Sequence, residues 1–142
     1  MRIAVLSDTH NRLPEDVCAR IEGADEIWHL GDVCALGIII RLEQIAPVRV
    51  VRGNCDNEPD WPLTLDFELE GHRFHLEHIP TKLPPPCDVF LHGHTHVPRD
   101  ETIRGVRFLN PGCISRPKSA PPSFAWLTLE PGQPVRWKVM SL

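Results

Sequence analysis

Ile3-Ala4-Val5-Leu6-Ser7-Asp8-Thr9-His10 is an apolar run that ends abruptly in a carboxylate and an imidazole. The run is too short to span a membrane, and no signal-peptide pattern surrounds it. It reads as a buried strand with Asp8 and His10 just past its carboxyl end. The same design recurs twice. Glu26-Ile27-Trp28-His29-Leu30 ends at Gly31-Asp32, and Val48 to Val51 ends at Gly53-Asn54-Cys55-Asp56. Helical stretches fall between these strands. One runs from Leu13 to Ile21, with Pro14 in its first turn and Gly23 past its end; the other covers 35–45 and stops before Pro47. The order β-α-β-α-β predicts a parallel sheet with right-handed crossovers. An open sheet of that kind collects ligands in one crevice at the carboxyl ends of its strands.

The second half is patterned differently. Leu63–Leu69 and His72–His78 flank Glu70-Gly71, Glu101–Ile103 and Val106–Leu109 flank Arg104-Gly105, and Ser123–Leu129 and Pro134–Met140 flank Pro131-Gly132. Each is a hairpin signal. Asp88–Leu91 is a short strand feeding His92-Gly93-His94-Thr95-His96. An antiparallel-rich half beside a parallel one predicts an α/β sandwich with helices outside. Pro84-Pro85-Pro86 is the only low-complexity piece and is too short for a linker, so residues 1–142 are expected to form one domain.

Hydrophobic residues at 42% and charged residues at 24% suit a soluble globular protein. The net charge of −4 argues against polymeric nucleic acid as a ligand, because no basic face is present. The five cysteines are odd in number and none forms C-x-x-C, which points to a reducing cytoplasm.

Carboxylates, one amide and imidazoles without a paired thiolate suit borderline-to-hard divalent ions. Each residue also has a blander reading. Asp8 suits a helix cap, Asp32 and Asn54 suit turns, and His10 suits an exposed surface. Four such clusters at four strand ends favour a metal site. His75, three residues before His78, should face the other side of its strand. His92 reads as a strand-end residue, and His29 and His72 as structural or exposed. Asp56 reads as a turn cap, and Asn110-Pro111-Gly112 as a turn beside the site. Arg12 and Arg116 each follow a motif closely and are candidate phosphate contacts. Trp61 fits either a cleft wall or the core.

In order, D-x-H, G-D, G-N-C-D, a lone His after a strand, G-H-T-H and N-P-G resemble the calcineurin-like metallophosphoesterases, and in particular their small bacterial and archaeal phosphodiesterase group. The resemblance runs from Ile3 to the Pro121–Ala125 segment. It implies a four-layer αββα sandwich with mixed sheets and two divalent ions, manganese first, with Ni, Zn, Fe, Co or Mg as alternatives. It assigns Asp8, His10 and His96 to the first ion, Asp32 to a bridge, and Asn54, His78 and His94 to the second. Asp32, Asn54, His94 and His96 would carry catalysis on a small phosphodiester or phosphomonoester. Such a pair of ions holds a bridging hydroxide that attacks phosphorus and clamps the phosphoryl oxygens.

The chain departs from the family in three places. Cys55 stands where many relatives have a His able to protonate the leaving group, although Cys is common in the small phosphodiesterases. Ile79-Pro80 replaces Gly-His after His78. Only thirteen residues, Ile79 to Leu91, separate His78 from His92, and Lys82 to Pro86 leaves no room for the helix that relatives place there. A shortened cleft wall and a broad substrate range are the expectation. Exposed hairpin edges permit a homodimer. A non-catalytic scaffold on the same fold, resembling a retromer subunit, is the alternative function; a nuclease of the same superfamily is disfavoured by charge.

Overall fold

Two five-stranded mixed sheets face each other in the computed structural model, which describes residues 1–142. The chain order is β1 (Arg2–Leu6), α1 (Glu15–Arg20), β2 (Glu26–His29), α2 (Leu36–Glu43), β3 (Val48–Val50), β4 (Thr64–Leu69), β5 (His72–Glu77), β6 (Val89–Leu91), β7 (Arg99–Ile103), β8 (Val106–Asn110), β9 (Ser123–Thr128) and β10 (Arg136–Ser141). The first sheet runs β10-β9-β1-β2-β3 and the second β4-β5-β6-β8-β7. As expected, β1, β2 and β3 are parallel. The second half is less antiparallel than its hairpins suggested, because β5, β6 and β8 pair in parallel at the centre of their sheet.

Strand β1 is buried on both faces, which is why its sequence is continuously apolar rather than alternating. Ile3 and Val5 pack with Trp28, Phe74, Leu76, Leu91 and Leu109 between the sheets. Ala4 and Leu6 face the other way, onto Val17, Ile21, Ile39 and Leu42 of the helical layer. Trp61 belongs to that second cluster, so it is a core residue and not a cleft wall. Both helices are short and lack side-chain N-caps; Glu15 and Asp16 instead set negative charge in the first turn of α1. Their buried residues, not their propensity, hold them in place.

The outer face of the second sheet carries no helix. Residues 79–88 cross it as irregular chain over a small cluster of Cys87, Phe90 and Phe108. A groove of about 850 Å³ remains between this proline-rich segment and the β7–β8 turn. Both tight hairpin turns have the paired positive φ of the type I′ class, at Glu70-Gly71 and Arg104-Gly105.

Because β1, β2 and β3 point one way, and β5 and β6 are likewise parallel to one another, Asp8, Asp32, Asn54, His78 and His94 all follow strand ends. Close approach of the two sheets there depends on Gly93. A Cβ on it would collide with the Ser7 hydroxyl and lie 2.8 Å from the Asp8 carboxylate. The Gly93 N–H meanwhile donates to the His78 carbonyl at 3.1 Å.

Candidate metal centre

Asp8 divides its two oxygens between different tasks. Its Oδ2 accepts the Ser7 hydroxyl at 2.6 Å and the His94 N–H at 3.2 Å. Its Oδ1 is buried and has no hydrogen-bond partner. Asp32 is arranged alike: Oδ1 accepts the Cys55 N–H at 2.9 Å, while Oδ2 faces His78 Nε2 at 3.2 Å.

The imidazoles follow one rule. His78 Nδ1 donates to the Leu30 carbonyl at 2.7 Å, and His96 Nδ1 donates to the Arg116 carbonyl at 2.6 Å. His10 turns Nδ1 to the Cys34 sulfur at 3.7 Å. Each ring is tethered through Nδ1; His10 and His78 aim Nε2 at both carboxylates, and His96 aims it at Asp8. The inward contacts are His10 Nε2 to Asp8 Oδ1 at 3.7 Å and to Asp32 Oδ2 at 3.8 Å, His78 Nε2 to Asp8 Oδ1 at 3.8 Å, and His96 Nε2 to Asp8 Oδ1 at 3.2 Å. Ligand pairs around an ion with bonds of about 2.0–2.2 Å stand roughly 3–3.6 Å apart; His96–Asp8 and His78–Asp32, both 3.2 Å, fall in that range, and the remaining pairs lie just beyond it. Anchoring the far nitrogen of a metal-binding His is the usual way to fix its tautomer.

Four buried polar atoms of the chain have no partner, and three of them are Asp8 Oδ1, His10 Nε2 and His78 Nε2. Leaving such groups unpaired costs about 1–3 kcal/mol each. Their convergence at one point is therefore an observation in favour of a bound ion. An oxygen and nitrogen donor set of this kind fits the divalent ions that the resemblance implies.

The backbone shows strain at the same place. Of nine non-glycine residues with positive φ, seven lie in the site loops: Asp8, His10, Asn11, Asp32, Cys34, His94 and His96. Backbone of this kind costs of order 1–3 kcal/mol per residue and gathers where geometry is imposed by function. Gly31, at φ +99°, needs its missing side chain for another reason: a Cβ there would lie 2.8 Å from His78 Nδ1.

Of the seven residues expected at the site, Asp8, His10, Asp32, His78 and His96 converge within the distances above. His94 is exposed, and its ring lies 5.3 Å from that of His78. Asn54 is also exposed, its amide donating to the Cys55 sulfur at 3.6 Å. His75 faces the opposite side of β5, as expected, where it bonds Asp66 and Glu77. His92 is buried between the Gly93 carbonyl and Arg99.

Some residues matter more than their sequence signal suggested. The Asp56 carboxylate accepts three backbone N–H groups, from Asp32 at 2.9 Å, Gly53 at 2.7 Å and Cys34 at 2.8 Å. It locks the loops after β2 and β3 together. Asn110 does the same for the G-H-T-H loop, donating to the Gly93 carbonyl and Thr95 hydroxyl. Ser7 was legible only as a strand-end polar residue. The Leu30 and Arg116 carbonyls carry no side-chain signal at all.

Electrostatics matches the geometry. Burial alone would raise Asp32, but the His78 ring facing it at 3.2 Å and the Cys55 N–H outweigh it and hold the carboxyl well below the usual range. Burial would lower His78, yet the facing carboxylates of Asp32 and Asp8 and the Leu30 carbonyl raise it. Burial lowers His10 despite the same carboxylates, which keeps that ring neutral and available. Arg116 contributes to lowering His10, so its charge reaches the mouth of the site.

His29 lies fully buried beneath the site, its Nδ1 accepting the Gly31 N–H at 3.1 Å and its Nε2 facing the Thr9 hydroxyl at 3.1 Å. Burial lowers its pKa to about 3. The unfolded chain takes up a proton below pH ~6.5 that the fold refuses until pH approaches 3. This part of the stability is complete above pH ~6.5 and declines by roughly 1 kcal/mol per pH unit on acidification through that window. Urea unfolding at pH 7, 6 and 5 should show the slope, and His29→Gln should flatten it. An unchanged slope in the variant would exclude His29 as its source.

A family model described as the calcineurin-like phosphoesterase superfamily domain matches residues 1–132. The chain belongs to that superfamily. It is 32% identical to a probable metallophosphoesterase of Methanothermobacter thermautotrophicus, over 92% of this chain and 87% of the relative. It is 33% identical to the phosphodiesterase YfcE of Escherichia coli, over 87% and 84% of the two chains. The solved structure of that phosphoesterase superposes with a TM-score of 0.77 over 90% of this chain and 88% of that one, at 31% identity. Vps29 of Entamoeba histolytica, solved with zinc, superposes at 0.82 over 99% and 98%, but at 20% identity; that likeness shows the fold alone. The chain is thus a metal-dependent phosphoesterase, a hydrolase, built on two mixed sheets. No helix is long and apolar enough to cross a membrane.

Proposed function

We propose that this chain is a phosphodiesterase working with two divalent ions, both of which Asp32 would help to hold. The observation that carries the reading is the convergence of three unpartnered buried atoms, Asp8 Oδ1, His10 Nε2 and His78 Nε2, at one strand-end crevice. Asp8, His10 and His96 would hold the first ion, and Asn54, His78 and His94 the second. When bound, such a pair acidifies a water between the ions and neutralises charge on the phosphoryl oxygens. Manganese is the first choice among divalent ions, as the family resemblance implies, and carboxylate, amide and imidazole donors admit it beside Ni, Zn, Fe, Co or Mg.

The chain's own groups do the rest. The Nδ1 tethers keep the Nε2 lone pairs aimed inward, so little reorganisation precedes binding. His94 and Asn54, being exposed, border the opening through which a phosphodiester reaches phosphorus-attack distance. Arg116, whose charge is felt at His10, Cys34 and Cys55, is placed to attract the substrate's phosphate. The Cys55 thiol is pushed up by burial and by the Asp32 carboxylate, which makes it a poor proton donor to a departing alkoxide. Diesters with good leaving groups, such as aryl esters, should therefore be the best substrates. The short connection after His78 carries no helix, and a broad range of diesters is the expectation that goes with it. A reducing cytoplasm suits five free cysteines.

The direct test is hydrolysis of an aryl phosphodiester and its monoester after metal stripping and re-addition of Mn, Ni, Zn or Mg, beside Asp32→Ala and Asn54→Ala. Metal-dependent diester turnover that both substitutions abolish is expected. Two ions bound per chain without turnover would favour the non-catalytic scaffold. That second reading has the Vps29-like fold on its side, but a scaffold has no need of three tethered rings.

Arg116→Ala should raise KM for the diester about tenfold and change kcat little, since a contact made equally to bound substrate and transition state affects binding alone. A loss confined to kcat would place Arg116 elsewhere in the mechanism.

A further inference from the structure

Two exposed thiols sit at the mouth of the metal centre on different loops. Cys34 follows β2, and Cys55 follows β3. Their sulfurs and a ring nitrogen of His10 all lie within 4.8 Å of one another. We infer that Cys34, Cys55 and His10 Nδ1 form a second site, competing with the neighbouring centre for the His10 ring, for a thiophilic divalent ion such as Cd2+ or Zn2+.

Chemistry separates this trio from the neighbouring centre. Two sulfurs in the donor set favour softer ions than the carboxylate, amide and imidazole donors of the neighbouring centre do. Binding is balanced: one ion joins two thiolates and one imidazole nitrogen, the two thiol protons leave to solvent, and the His10 ring proton passes from Nδ1 to Nε2 as that nitrogen gives up the neighbouring ion. The fourth position stays open to water.

The trio is also held in place. Asp56 accepts the Cys34 N–H at 2.8 Å through one oxygen, and the Gly53 and Asp32 N–H groups through the other. One carboxylate therefore fixes the spacing of the two cysteine loops. Cys34 has a left-handed backbone, at φ 71°, which directs its sulfur to 3.7 Å from His10 Nδ1. None of the other three cysteines shares this setting, since Cys18, Cys87 and Cys113 are buried.

Each sulfur already touches a proposed ligand of the phosphoesterase centre. Cys34 meets His10, and Cys55 meets the Asn54 amide at 3.6 Å. An ion on the thiols would recruit His10 Nδ1 and disturb Asn54. Thiophilic ions should then weaken turnover supported by manganese, and sparing the thiols should restore it. Detection of the site itself does not depend on turnover.

The test is titration of the reduced, manganese-loaded full chain with Cd2+, read by thiolate-to-metal charge-transfer absorption and by protection of cysteines from iodoacetamide in peptide mass spectrometry. One equivalent should saturate the band and protect Cys34 and Cys55 together. Cys34→Ser or Cys55→Ser should cut the amplitude by about half and weaken binding more than about tenfold. Cys87→Ser should leave it unchanged, and circular dichroism should match the parent for all three. A band absent from the parent, or one that survives the Cys34→Ser/Cys55→Ser pair, overturns the inference. Protection of only one thiol overturns it too. Failure of the manganese-dependent activity alone would strike the phosphodiesterase reading and leave this site standing.

Discussion

Asp32→Asn should lower diester kcat/KM by at least about a thousandfold, roughly 4 kcal/mol, without unfolding the chain. The substitution is chosen because it separates two roles of one side chain. Asp32 Oδ1 accepts the Cys55 N–H, and an amide oxygen can still do that. Oδ2 faces His78 Nε2 at 3.2 Å, and only a carboxylate offers the negative charge needed to sit between two cations. Loss of turnover with an unchanged circular dichroism spectrum is the expected pair of results. Full activity in the variant would mean that the bridge is not Asp32. Unfolding would show instead that the carboxylate is structural first.

The second large effect is thermal. Divalent ions that bind only the folded chain stabilise it, by about 2.7 kcal/mol per site at a hundred times Kd. Two sites give about 5 kcal/mol, and for a chain of this size roughly 3 °C per kcal/mol makes the rise in Tm about 15 °C. The rise should depend on pH in one direction. His78 is raised by Asp32 and Asp8 in the metal-free protein, so it keeps a proton that an ion must displace. Without metal, that proton's contribution to stability is complete below the unfolded pKa of ~6.5 and disappears as pH climbs through the higher folded value. With metal the opposite slope applies, because the ion competes with the proton and gains as pH rises. Scanning calorimetry at pH 6 and pH 8 with saturating manganese should show the larger shift at pH 8. His78→Ala should shrink the shift and remove its pH dependence. An equal shift at both pH values in the parent would assign the displaced proton to another group.

Much of the architecture was readable because its signals are local. Continuous apolar runs marked β1 and β2, and pairs ending in glycine such as Glu70-Gly71, which take positive φ in the fold, marked the hairpins. The pairing of β6 with β5 and β8 was not readable, since a three-residue strand carries no record of its neighbours. Trp61 was undecided for a similar reason: prolines on either side mask the period that would show its face. Within the candidate centre, the first ring of side chains stood out by residue type and position. What holds them did not. His78 and His96 are tethered by the carbonyls of Leu30 and Arg116, and every residue has a carbonyl. Asp56 looked like a turn residue because its work is done on the backbone of three others.

That same Asp56 has an implication for anyone who wishes to retune the ion preference. The loop bearing Asp32 and the loop bearing Asn54 are fastened to a single carboxylate. A ligand exchanged in one loop is felt in the other through this anchor, so in the proposed two-ion centre neither ion would be respecified alone. Coupled libraries spanning residues 32–34 and 53–56 should yield working variants where stepwise replacement stalls.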